Sequence, residues 1–223
     1  MEQETETPEP LPQVQDGKVA AAQVEHKRPD EAQIVGAIGL RGTGKTTFLR
    51  HYSARQEPRR LALDPFGDFT GGYTTFKEDW REGLEWLKRE PRALSVRLAL
   101  PLSTDSIEWG DSIFNSLLSI NPEQFAWDLL LILDEVHRYG AERESRPLLQ
   151  LILQARRLGI RVAYGSQRMV YVPRVIMNET TDLAVFRIRS PTDRKRLDEW
   201  TVKGAGDEAA HLEDRTCLLW SPL

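Results

Sequence analysis

The chain has 223 residues, 40% apolar and 29% charged, with a formal net charge of −4, which suits one globular domain with a sizeable core. A single cysteine, Cys217, excludes an internal disulfide, four scattered histidines form no metal-ligand pattern, and the longest apolar run, Leu129 to Leu133, is far too short to cross a bilayer. The acidic, polar start reads as neither signal peptide nor lipid anchor, so a reducing, cytoplasmic setting is expected.

In chain order, residues 1–31 come first, with eight acids and three bases, a balance of −5 that leaves about +1 for the remainder. They are rich in Glu, Pro and Gln and poor in large apolar side chains. Such a segment cannot bury enough surface to offset its ordering entropy, so an acidic disordered tail is expected ahead of one domain over 32–223.

That domain opens on a β-rich run, "IVGAI" (34–38), followed at once by "GLRGTGKTTFLR" (39–50). Gly39, Gly44, Lys45 and Thr46 match G-x-x-x-x-G-K-[ST], a loop whose curled backbone aims successive N–H groups at phosphate oxygens and feeds them into a helix N-terminus. The expected nucleotide-binding set is Gly39, Arg41, Gly42, Thr43, Gly44, Lys45, Thr46 and Thr47. Lys45 reaches the β- and γ-phosphates of ATP, and the Thr46 hydroxyl holds Mg²⁺.

Strand and helix patterns then alternate. "TTFLRHYSAR" reads as helix and "RLALD" (60–64) as strand. "FKEDWREGLEWLKRE" places Trp80, Leu84 and Leu87 on one helical face. "LSVRLAL" (94–100) is the next strand, and Thr104 or Asp105 is the expected N-cap of the helix "TDSIEWGDSIFNSLLSI". "DLLLILD" (128–134) is a buried strand ending in Asp134 and Glu135. A carboxylate at such a tip can hold Mg²⁺, and the next can polarise a water for hydrolysis.

The helix "RPLLQLILQARRLG" should end on Gly159 as C-cap. "IRVAYGS" (160–166) is a strand ending beside Gln167, which is placed to hydrogen-bond the γ-phosphate or the attacking water. "LAVFRI" (183–188), a helix with Pro191 in its first turn, and "TCLLW" (216–220) complete the order. Strands apolar on both faces, alternating with helices, predict an α/β fold of the P-loop NTPase (RecA/ASCE-like) kind, its mainly parallel sheet covered on both faces. Gly39, Asp64, Asp134 and Gln167 each follow a predicted strand and should share one sheet edge, where ligands bind.

From Arg138 to Arg196 there are thirteen basic and five acidic residues. That is the signature of a polyanionic partner or of a solvated, salt-bridged surface. "DEVH" (134–137) is similar to the DExH box of helicases, which build their ATP cleft from two such domains. A chain with room for one must borrow a neighbour, so an oligomer is expected.

Taken together, "GLRGTGKTT", "LALDPFGDF", "LLLILDEVH", "ARRLGIRVAYGSQR" and "TDLAVFRI" resemble the FtsK–HerA superfamily of P-loop DNA-pumping ATPases over residues 34 to 220. Within it the chain looks most like the small genome-packaging ATPases of membrane-containing, double jelly-roll viruses. Asp64, Pro65, Gly67 and Asp68 match the family's D-P-x-G-[DE] element. Arg156, Arg157, Gly159 and Ile160 match its basic segment ahead of the glutamine strand. "GSQR" stands where "ATQR" is common, and the membrane or extra domains of the bacterial translocases are not seen, which favours the minimal viral motors.

The resemblance implies a homo-oligomeric ring that hydrolyses ATP and pulls double-stranded DNA by its phosphates. Glu135 and Gln167 would be catalytic, and a neighbour's Arg156 or Arg157 would complete the site, with Arg143, Arg146 and Arg187 as alternatives. It also implies capsid or membrane-vertex partners, and a place in the host cytoplasm or at the packaging vertex of the virion. Segments 138–146 and 168–174 are candidate DNA-contacting loops. Three rivals stay open. A conjugation or phage-export pump shares the motifs. A nucleotide-switch GTPase would need an N-K-x-D guanine reader, which "NETTD" (178–182) is not. A small-molecule kinase would usually lack the acid after Asp134.

Overall fold

The structure is a computed structural model that describes residues 33–55, 59–69, 73–76, 79–89, 95–99, 106–120, 129–140 and 145–221. The acidic segment 1–31, the proposed cap at Thr104 or Asp105, and Arg143 lie outside the described residues. In chain order the elements are β1 (Ile34–Ile38), α1 (Lys45–Arg55), β2 (Arg59–Asp64), β3 (Thr74–Phe76), α2 (Trp80–Arg89), β4 (Ser95–Ala99), α3 (Ser106–Leu118), β5 (Leu129–Leu133), α4 (Arg146–Leu158), β6 (Ile160–Ser166), α5 (Arg174–Asn178), β7 (Asp182–Val185), α6 (Pro191–Trp200), α7 (Ala205–His211) and β8 (Leu218–Trp220). Short 3₁₀ turns cover Val136–Tyr139 and Met169–Tyr171.

Among the described residues these strands form one eight-stranded sheet in the order β3-β4-β2-β5-β6-β1-β7-β8. All pairings are parallel except β7 with β8. The register puts Ile38 opposite both Ser166 and Val185, and Leu133 opposite Tyr164 and Leu63. The segments that follow β1, β2, β5, β6 and β7 therefore leave the sheet along one edge.

Period-two alternation in the strands divides the core between two faces. On one, Leu129, Leu131, Leu133, Val162 and Tyr164 pack with side chains of α2, α3, α4, α5 and α6. On the other, Ala37, Ala62, Ala163 and Ala184 line up with Leu130, Ile132 and Leu49 of α1. This is why the strands read as apolar throughout.

Some element ends differ from the sequence expectation. The helix expected from Phe76 starts at Trp80, because the Asp79 side chain accepts from Arg81 N–H at 2.8 Å and caps it there. Phe76 belongs instead to the edge strand β3. β8 starts at Leu218 rather than Thr216, because Thr216 Oγ1 donates to Glu213 O at 2.7 Å in a preceding turn. The helix α4 ends as expected, with Gly159 left-handed at φ 65°.

Gly36 in the middle of β1 is required by close approach. A Cβ there would lie 2.6 Å from Tyr164 Oη and 2.8 Å from Leu183 Cδ1. Tyr164 is fully buried and shares a 2.9 Å hydrogen bond with Thr180 Oγ1, so it has nowhere to retreat. Gly36→Ala is expected to cost about 1–3 kcal/mol from overpacking, lowering the thermal midpoint by about 2–4 °C per kcal/mol in a chain of this size. Thermal unfolding of the purified variant checks it.

Candidate functional site

The glycine loop leaves β1 and turns into α1 at the common edge. Gly39 N–H bonds to Ser166 O at 3.1 Å and Leu40 N–H to Arg187 O at 2.9 Å, so the loop is pinned to the ends of β6 and β7. Gly44 has φ 116°, which strongly disfavours any residue with a Cβ. Thr43 Oγ1 and Lys45 Nζ both donate to Leu40 O, at 2.7 and 2.9 Å, so the lysine folds back across its own loop. Lys45 is buried, Thr46 half-buried, and Arg41, Gly42 and Thr47 exposed.

Asp134 and Glu135 follow β5 and meet this loop. Burial pushes the Lys45 ammonium below its ordinary pKa, while the Glu135 and Asp134 carboxylates pull it back up, so all three share one electrostatic environment. Asp134 is 3% exposed. Its carboxyl is pushed up to about 7 by burial first, then by Glu135, Asp64 and Asp68, against the pull of Lys45.

Among the described residues no group of three His, Cys, Asp or Glu is arranged to hold a metal by itself. A divalent cation would need oxygen ligands from the nucleotide as well. Asp134 with the Thr46 hydroxyl, at the mouth of a phosphate loop, fits Mg²⁺, which binds through one or two protein oxygens plus phosphates and water. Bound there, Mg²⁺ would neutralise phosphate charge and relieve the crowding of acids.

Glu135 stands in the left-handed region at φ 52°, ψ 61°. That conformation is costly for a residue with a side chain and clusters at functional sites. Both carboxylate oxygens are engaged. Gln167 Nε2 donates to Oε1 at 2.8 Å, Gln167 N–H donates to Oε2 at 3.2 Å, and His137 Nδ1 lies 3.2 Å from Oε2. Burial raises the Glu135 pKa, but His137, Gln167 and Lys45 together outweigh it and hold the carboxylate below its ordinary range. Gln167 thus contacts the acid itself, a link not foreseen in the sequence. β6, which Gln167 directly follows, lies between β1 and β5 and makes that contact possible.

The remaining predicted residues are placed as follows. Arg156 and Arg157 are exposed in the last turn of α4. β6 begins just after them at Ile160, so they sit at the sheet edge opposite the loop and do not join the site of their own chain. Arg187 is fastened to Asp214 at 2.6 Å, and Arg146 is exposed at the start of α4.

Segment 168–174 is packed rather than open. Met169, Val172 and Pro173 are buried, and Arg168 Nε donates to Asp193 Oδ2 of α6 at 2.5 Å. Tyr171 remains 41% exposed, with its ring 5.7 Å from that of His137. Of segment 138–146, residues 141–144 lie outside the described residues.

Asp64 has a structural use at the same edge. Oδ1 accepts from the N–H of Phe66, Gly67 and Asp68 at 3.2, 2.8 and 3.0 Å, and Oδ2 accepts from Phe69 N–H at 2.9 Å and Arg97 Nε at 2.6 Å.

Compared by sequence, the chain matches no family model and no curated protein. Compared by structure, it is similar to the genome packaging NTPase B204 of Sulfolobus turreted icosahedral virus 2 in complex with AMP. The TM-score is 0.68 at 15% identity, covering 87% of this chain and 94% of that one. It is similar to B204, the DNA-packaging ATPase of Sulfolobus turreted icosahedral virus, with a TM-score of 0.61 at 15% identity over 86% and 93% of the two chains. It is also similar to the plasmid coupling protein TrwB in complex with a non-hydrolysable GTP analogue, with a TM-score of 0.62 at 13% identity over 87% and 83%. The chain has the α/β P-loop NTPase fold.

Proposed function

We propose that this chain is an ATP-driven double-stranded DNA translocase, a viral genome-packaging motor that works as a homo-oligomeric ring. The observation that carries the reading is the meeting of the phosphate loop, Asp134, Glu135 and Gln167 on one sheet edge, with a glutamate at the position suited to activating water. The likeness to a viral packaging NTPase supports the packaging assignment. The likeness to TrwB keeps a conjugation-type pump as a second reading.

In this reading, backbone N–H groups of 41–46 and Lys45 bind the phosphates of ATP, and Asp134 and Thr46 hold Mg²⁺. Glu135 takes a proton from the attacking water and Gln167 orients it. A neighbour's Arg156 or Arg157 neutralises charge in the transition state; such fingers are worth about 10³–10⁵ in rate. An arginine at the far sheet edge is suited to acting on another subunit and not on its own. DNA is held through phosphates without base reading.

Phosphate release measured with and without duplex DNA tests this. Turnover should rise several-fold with DNA of any sequence. The DNA concentration needed should grow by about tenfold or more between 50 and 200 mM salt. Turnover indifferent to DNA in a protein that stays monomeric with ATP would refute the motor.

A further inference from the structure

The phosphate loop has a second wall, on the side away from the acids. In the sheet order β5-β6-β1-β7-β8, the acids and Gln167 lie on the β5 and β6 side of the loop. A triphosphate whose γ end meets Glu135 and Gln167 must run its nucleoside end the other way, over β7 and β8. β8 is antiparallel, with Leu218 opposite Val185, so the segment leading into it reaches the same edge.

That segment is built onto the loop. Arg215 N–H bonds to Thr43 O at 3.0 Å, and the Arg215 Cα lies 3.5 Å from where a side chain on Gly44 would begin. Arg187, whose carbonyl accepts from Leu40 N–H, is tied to Asp214 at 2.6 Å, so the two segments flanking the loop are fastened to each other. Arg215 is left-handed at φ 68°, one of two such non-glycine residues among those described, the other being Glu135. A turn of this kind ordinarily takes Gly or Asn. An arginine here keeps a side chain at a conformational cost, and strain of this sort gathers at ligand sites. The side chain is exposed, and among the described residues no carboxylate pairs with it.

We infer that Arg215 is the nucleoside-binding residue of this site, its guanidinium packing on the face of the nucleotide base; this rests on the ATP-binding reading above. The phosphates are already served by loop N–H groups and Lys45, and past the ribose that follows them lies the base, a flat, uncharged ring. A planar guanidinium suits that surface. Every base has a π-face, so the contact is blind to base identity.

The test is equilibrium binding of ATP, GTP and inorganic triphosphate to the full chain and to Arg215→Gly. Glycine accepts the left-handed turn, so the variant keeps the fold, and its thermal midpoint should equal or exceed that of the wild type. Affinity for ATP and for GTP should each fall about tenfold, the range expected for a cation on a ring, while triphosphate affinity stays unchanged. Unchanged ATP affinity, or equal loss for all three ligands, overturns the assignment. A wild-type chain that binds none of the three overturns the nucleotide reading itself, and with it this one. Loss of all three in Lys45→Ala alone leaves that reading standing.

Discussion

Glu135→Gln will stop ATP turnover and leave nucleotide binding intact. The carboxylate is 6% exposed, is held below its ordinary pKa, and lies within electrostatic reach of Lys45, so it is ionised at neutral pH and faces the phosphate end of the site. A neutral amide of the same shape keeps an oxygen for Gln167 Nε2 but cannot accept a proton. Loss of a positioned general base costs about 10²–10⁴ in rate. Phosphate release measured beside binding of a fluorescent ATP analogue separates the two effects. Lys45→Ala is the contrast, because it removes binding as well. A Glu135→Gln variant that releases phosphate near the wild-type rate would remove this residue from the chemistry.

Asp64→Ala will be among the most destabilising single changes in the chain. Asp64 is 1% exposed and its carboxylate organises five donors: four backbone N–H groups of the turn after β2, and Arg97. Alanine strands those N–H groups and leaves the guanidinium, whose side chain is 13% exposed, without its counter-charge. Breaking a buried pair on one side costs about 3–5 kcal/mol. At about 2–4 °C per kcal/mol, the midpoint should fall by about 10 °C. Asp64→Asn should lose less, because its oxygen still serves one group of donors while its NH₂ opposes the other. Thermal and urea unfolding read both variants, and an alanine variant as stable as wild type would show that the turn holds without the carboxylate.

The motif strands were legible because each combines an apolar run with an unusual ending. β1 ends in glycines, β5 in paired acids and β6 in Ser-Gln-Arg, and their common edge follows from parallel pairing alone. The short elements were not. β3 has three residues at the sheet rim, two of them exposed, and so shows no periodicity. α5 spans five residues, and α7, over "AGDEAAH", carries few apolar side chains.

Contacts within the site were less legible than its membership. Gln167 is expected at the γ-phosphate or the attacking water; its contact with Glu135 is an additional one, which the sequence does not announce because nothing in "DEVH" signals the positive φ of Glu135. Arg215 gave no signal either, since it lies in a polar run ahead of a short strand, some 170 residues from the loop it joins.

The alanines beneath α1 bear on how the catalytic edge is assembled. Ala37 and Ala184 are opposite each other on β1 and β7, Ala163 on β6 lies beside Val35 two residues back along β1, and Leu49 packs among the three alanines. Side chains this short act as a shim of fixed thickness between helix and sheet. Lys45 is the first residue of that helix, whereas Asp134 and Glu135 follow directly from the end of β5 in the sheet. The gap between cation and acids is therefore gauged by methyl groups several residues away. A single added methylene at Ala163 would tilt α1 and widen that gap without touching any polar atom.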